Sequence, residues 1–351
     1  MSSMKKRVIA IFTVLILCVS FTGCTVTIDV DRDSDIKIET TDGLKQTEDI
    51  SSEDTSEIVF PYHYADRDEA VERYLSNEEY FDGMSKCDVQ YKLQDKHGTV
   101  EELKEYGASQ MQEFSDDEKE AIDNLFDEMT KDAEENGYEF PRLSEITLIR
   151  STQKEECGSG AYTHGTDIYF GDYLSNLITS EDEIEAVLGK EIMWHEIFHC
   201  LTRNNPDFRK DMYKIIHFTV EDEDYEIPPS VEKKFISNPD VEHHNSHAEF
   251  EIDGEKVECF AALIATEPFR KEGDSFFDCM ATALVPTDGS DEYYLPEDTD
   301  NFWEVFGENT GYVIDPEECM ADNFSYAMTY GMDKDYANPE IIEAIIEYVS
   351  K

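Results

Sequence analysis

His195-Glu196-Ile197-Phe198-His199 sets two imidazoles four residues apart, with a carboxylate beside the first. On a helix, side chains four apart share a face, so both rings reach one tetrahedral zinc ion at about 2.0–2.1 Å. Glu196 then stands next to the first ligand, where it takes a proton from a zinc-activated water without binding the metal. Such a set performs metal-assisted hydrolysis. A helix carrying two incidental histidines is the plain alternative, and the flanking residues weigh against it.

Those flanks predict a helix from Ser180 to Arg203. Ser180 is the expected N-cap, Glu183 its capping-box partner, and acids fill the first turn. Ile184, Val187, Leu188, Ile192 and Ile197 recur at helical spacing, and Asn204-Asn205-Pro206 supplies a stop. Catalytic zinc keeps three protein ligands and an open position for water, so a third ligand must come from elsewhere. The strongest candidate follows a second helix start, with Asp315 as N-cap and Pro316 at the first helical position. Glu318 and Asp322 then share one face. Glu318 would bind the zinc, and Asp322 would accept a hydrogen bond from a ligand histidine and fix its tautomer. The competing role for Glu318 is to close a capping box on Asp315.

HEIFH with a downstream PEExxADNF helix resembles the gluzincin zinc metallopeptidases. The likeness rests on residues 180–203 and 312–331, with residues 160–170 similar to the strand such enzymes place before the motif helix. It implies an α+β, zincin-like core: a mixed sheet over the helix of His195 and His199, and an edge strand along which an extended peptide adds its backbone. It also implies that His195, His199 and Glu318 bind one zinc ion and that Glu196 is the general base. Tyr312, just ahead of the Glu318 helix, is the implied stabiliser of the oxyanion; Tyr326, Tyr330 and His247 are the other candidates. In compact members the glutamate helix follows closely. Here the two blocks stand more than a hundred residues apart, so a large insertion at about 204–310 must lie between them.

The expected activity is hydrolysis of peptide bonds. A zinc amidohydrolase acting on a non-peptide amide of the cell envelope has the same ligand set, and a non-catalytic zinc-containing surface lipoprotein is the third possibility; Glu196 speaks against the last, because a structural site needs no general base.

Lys5, Lys6 and Arg7 precede an apolar run from Val8 to Phe21, the pattern of a signal peptide over residues 1–23. The run ends at Phe21-Thr22-Gly23-Cys24, which resembles a bacterial lipobox and implies lipidation at Cys24, outside the cell, although the usual leucine is here Phe21; ordinary cleavage and an uncleaved anchor stay open. Residues 24–58 are acidic and rich in Ser and Thr, a tether rather than a packed element. A mainly helical lobe is expected over 59–137 and the catalytic core over 138–351. The formal net charge of −53 argues strongly against nucleic-acid partners; it would attract basic peptides or a cationic envelope component, and solubility at a cell surface explains it equally well.

Within the lobe, Ser115 and Glu118 open an amphipathic helix that Asn136-Gly137 ends. Ile146–Ile149 reads as a buried strand and residues 162–170 as a hairpin edge. A helix near 206–216, strands near 248–252 and 257–266, and a last helix from Asn338-Pro339 to Tyr348 complete the pattern. His243, His244 and His247 form a second concentration of imidazole, read as an exposed loop in preference to a second metal site. Apart from Cys18 and Cys24, six cysteines remain, Cys87, Cys157, Cys200, Cys259, Cys279 and Cys319; an exported chain permits three disulfides, but their spacing shows no disulfide framework.

Overall fold

Residues 60–350 are described in the computed structural model; the signal segment, Cys24 and the acidic tether lie outside them. The lobe opens with β1 (Tyr62–Tyr64), α1 (Arg67–Ser76), α2 (Glu78–Asp82), α3 (Lys86–Leu93), α4 (Val100–Gln110), β2 (Met111–Gln112) and α5 (Asp116–Asn136). Ser115 and Glu118 form the expected capping box on α5. Gly137 ends it at φ 68°, where only glycine turns left-handed without strain.

Three further strands follow: β3 (Ile146–Ser151), β4 (Ala161–His164) and β5 (Asp167–Phe170). They join the first two in a mixed sheet of order β1-β3-β5-β4, with β2 paired to the far end of β3. β1, β3 and β5 are parallel, while β4 folds back on β5 as an antiparallel hairpin. β3 is buried along its whole length, which explains why its residues do not alternate. β4 is the edge.

Next come α6 (Asp172–Ile178), α7 (Glu183–Asn204), α8 (Pro206–Ile215), β6 (Thr219–Val220), α9 (Pro229–Glu232), β7 (Ser246–Ile252), β8 (Glu255–Ala265), β9 (Met280–Pro286), α10 (Phe302–Phe306), α11 (Pro316–Tyr330) and α12 (Pro339–Val349). The region between α8 and α11 builds its own antiparallel sheet, β6-β7-β8-β9. The chain is α+β, with twelve α-helices among the described residues.

The start of α7 corrects two expectations. Asp182, not Ser180, is the N-cap: its carboxylate accepts from the N–H groups of Ile184 and Glu185. Ser180 instead accepts from the Asp182 N–H and donates to Glu185. An ionised cap opposite the helix dipole is at least as good as a hydroxyl. The apolar stripe also begins later than its periodicity suggests, because Ile184, Val187 and Leu188 stand exposed, Ile184 by 74%. Burial starts at Gly189, which lies hard against Ile178 of α6.

From there the core is continuous. Met193, Trp194, Ile197, Phe198 and Leu201 of α7 pack with Met320, Ala321, Phe324 and Ala327 of α11, and with Ile122, Leu125, Phe126 and Met129 of α5. Trp194 meets Phe60, Phe140 and Phe324 within 6.1 Å. This clamping of α7 against α11 is what brings two chain segments so distant in sequence to one point. All six cysteines in the described residues are free thiols, and Cys200 and Cys319 are buried packing groups. No helix of the described residues is long and apolar enough to cross a membrane.

Candidate metal centre

His195 and His199 face α11 from successive turns of α7, and Asp315 caps α11 through the Glu317 N–H as its residue type predicts. Glu318, fully buried, does not close a capping box. Its Oε2 stands 3.0 Å from His195 Nε2 and 3.6 Å from His199 Nε2. Its Oε1 accepts from Tyr312 at 3.2 Å and from the Asn238 amide. Asp322, one turn on, stands 2.9 Å from His195 Nδ1 and also accepts from Thr310. Glu318 and Asp322 therefore both stand beside the histidine pair.

Glu317, Asp240, Asn238 and Thr163 complete the site without having been expected there. Glu317 lies 3.0 Å from His199 Nδ1 and accepts from Thr202, Tyr213 and Arg203. Asp240 Oδ1 approaches His199 Nε2 to 3.8 Å. Glu196, 3% exposed, accepts at Oε2 from the Thr163 hydroxyl on β4 at 2.7 Å. Two groups of side chains thus bring ligand atoms within 4.8 Å of one another, His195 with His199 and Glu318, and Glu196 with His199 and Asp240.

The donor set suits a cation. Four buried carboxylates, Glu317, Glu318, Asp240 and Asp322, converge on two imidazoles, and the buried Nε2 of His199 makes no hydrogen bond although both of its neighbours across the site are acids. A ring nitrogen left in that state, with its Nδ1 engaged by Glu317, is the arrangement of a metal ligand held by an outer carboxylate.

No protein-family model, curated protein or solved structure matches the chain. The site must therefore be read from its own chemistry.

Burial is opposed at His195 by Asp322 and Glu318, which raise its pKa well above the usual histidine range. Burial raises Glu196, and the two histidines pull it back only in part. Burial also works against the Glu317 anion, but Arg203, His199 and Arg209 outweigh it and hold that carboxyl far below its ordinary value. Glu317 is thus held as an anion, while burial shifts both Glu196 and Asp240 toward their protonated forms.

Of the other expected candidates, Tyr330 donates to Glu191 and His247 pairs with Tyr225, both away from the histidine pair. Tyr326 lies beyond Asp322 against Tyr330 and Tyr336. His243 pairs with Asp224 and His244 packs its ring on Phe235, while His247 lies on β7 and is not part of the expected exposed loop, so the three histidines take separate partners.

His164 on β4 is buried with an unpartnered Nε2 among Tyr80, Tyr162 and Tyr169. Burial, reinforced by the charges of Lys92 and Arg203, lowers its pKa to about 3. The folded state therefore resists a proton that the unfolded chain takes up near pH 6.5. The stability this neutral ring permits is full above pH 6.5 and is lost as pH falls toward 3, by about 2 kcal/mol at pH 5. Denaturant titrations at pH 7.5 and pH 5 should show that loss in the parent, and His164→Phe should lack that part of it; an equal pH dependence in both would remove His164 as its source.

Proposed function

We propose that the chain is an exported, membrane-tethered zinc metallopeptidase with a zincin-like core, and that α7 and α11 carry its metal. The observation that supports this most is the convergence of His195 Nε2, the otherwise unpartnered His199 Nε2 and Glu318 Oε2. Two imidazoles and one carboxylate are a donor set that zinc favours. When bound, zinc would polarise the scissile carbonyl and acidify a water molecule.

The chain's own groups do the rest. Glu196 takes the proton of the attacking water and passes it to the leaving amine, with Thr163 holding its carboxylate by the 2.7 Å hydrogen bond. Tyr312, whose hydroxyl now rests on Glu318, supplies the donor for the oxyanion. Asp322 and Glu317 keep the ligand rings oriented. β4 is the edge strand along which an extended peptide would pair, and the strongly negative surface would attract basic peptides.

Metal content by mass spectrometry and turnover of a peptide library test the reading together. The expected result is one zinc per chain, with peptide cleavage that a chelator abolishes and added zinc restores. A chain without metal overturns the reading; zinc with cleavage of cell-envelope amides and of no peptide moves the substrate class to the amidase alternative.

A further inference from the structure

The outward face of β4 is already taken. Thr163 N–H donates to Asp240 Oδ1 at 2.6 Å, and Gly165 N–H donates to Glu242 Oε1 at 2.5 Å. One outward donor of the edge strand and the donor of the turn residue that follows it are thus satisfied by two acceptors two residues apart. The same Asp240 oxygen stands 3.8 Å from His199 Nε2, which is itself 3.6 Å from Glu318 Oε2, and Glu318 Oε2 is 3.0 Å from His195 Nε2. His195, His199 and Glu318 converge as one group, and Asp240 comes to ligand range of His199 and Glu196 only, so it flanks that group beside His199.

We propose that residues 237–242 form an internal strap that covers the peptide-binding edge beside the centre, with Asp240 holding the Thr163 N–H and Glu242 the Gly165 N–H. This rests on the metallopeptidase reading and specifies the resting state of that site. The strap is fastened at both ends. Ser237 N–H donates to Asp88 of α3 at 3.0 Å, and buried Lys92 donates to the Ser237 hydroxyl at 3.1 Å. Asn238 reaches Glu318 with its amide and receives the Asp240 N–H on its own oxygen at 3.0 Å. Arg203, one turn past His199, donates to the Asp240 carbonyl and to Glu317, with Nε 3.5 Å from Glu242. Glu242 itself is exposed, and a cleft of about 290 Å³, lined in part by Arg203, Arg209, Val241 and Glu242, borders the strap and gives it somewhere to move. An extended peptide binds only when both carboxylates have left β4.

The test uses the full chain loaded with Co²⁺, whose visible spectrum reports its ligands, and two probes. Acetohydroxamate needs only the metal; tri-alanine hydroxamate needs the metal and the edge. Glu242→Ala should bind tri-alanine hydroxamate about tenfold tighter with acetohydroxamate unchanged, and Asp240→Ala/Glu242→Ala should gain about 100-fold for tri-alanine hydroxamate, each step reflecting one charge-assisted hydrogen bond no longer competed for. Amide exchange over residues 161–165 should be slow in the parent, fast in the double variant and slow again with tri-alanine hydroxamate bound. Equal affinities and equal exchange in cobalt-loaded parent and Glu242→Ala overturn the strap, and that surface substitution tests it even if the double variant does not fold. A parent chain that takes up no cobalt is seen before any probe is added and sinks the metal reading instead.

Discussion

Glu196→Gln should leave one metal ion per chain and lower peptide turnover by about 10²–10⁴-fold, the range over which a positioned general base contributes. The substitution keeps shape and burial. Its amide oxygen still accepts from Thr163, so β4 and α7 stay in register, and only the ability to take a proton is removed. Because Glu196 also belongs to the second group of converging ligand atoms, with His199 and Asp240, the metal content decides between two roles. Retained metal with lost turnover assigns it the proton. Metal lost in proportion to activity makes Glu196 a ligand and sends the search for the base elsewhere. Glu196 is buried on the first turn after His195, where desolvation favours its neutral form and the histidines oppose that shift. A carboxylate balanced in this way accepts a proton from an acidified water more readily than one in bulk solvent.

How much of this centre was legible in the sequence depended on whether the signal was local. Asp315-Pro316 announces α11, and the four-residue spacings of His195 to His199 and of Glu318 to Asp322 announce shared helix faces; each is a property of one turn of chain. The hairpin of β4 and β5, the buried strand β3 and the box of Ser115 with Glu118 are local in the same sense. The errors are local choices between near-equals: Ser180 and Asp182 both offer an acceptor two residues apart, and a polar first turn leaves Ile184, Val187 and Leu188 without a surface to cover. β9 carries a plain apolar run whose pairing with β8 no short-range pattern announces. Asp240 is the clearest loss. Its segment shows only the turn signal Asn238-Pro239-Asp240, and its role is created by Arg203, Asp88 and Lys92, which lie far away along the chain. Nothing in the spacing of those residues predicts that they meet.

The adjacent acids of α11 should part company when each is replaced by alanine. Glu318→Ala removes the carboxylate that faces both His195 Nε2 and His199 Nε2, and metal affinity should fall by well over the roughly 100-fold reached when an outer partner of a ligand is lost. Its effect on folding should be small, since four carboxylates crowd the metal-free site and one of them is taken away. Glu317→Ala should do the reverse. One helical step turns its side chain away from the metal side toward Arg203, Thr202, Tyr213 and His199 Nδ1, all at hydrogen-bond range, in a pocket where Glu317 is 2% exposed. Its removal leaves the Arg203 guanidinium buried with Glu242 at 3.5 Å and a carbonyl in place of its main counter-charge. Breaking a buried pair from one side costs about 3–5 kcal/mol, a large fraction of what a domain possesses. Denaturant midpoints and chelator competition separate the two variants: Glu317→Ala should unfold early yet keep metal within about 10–100-fold of the parent, and Glu318→Ala should unfold with the metal-free parent and hold almost none. If Glu317→Ala emptied the site at unchanged stability, Glu317 and not Glu318 would be the ligand, and α11 would have to turn by about 100° to present it. The packing of Met320, Ala321 and Phe324 against α7 forbids that rotation, which is why the assignment of Glu318 follows from the core as much as from the site.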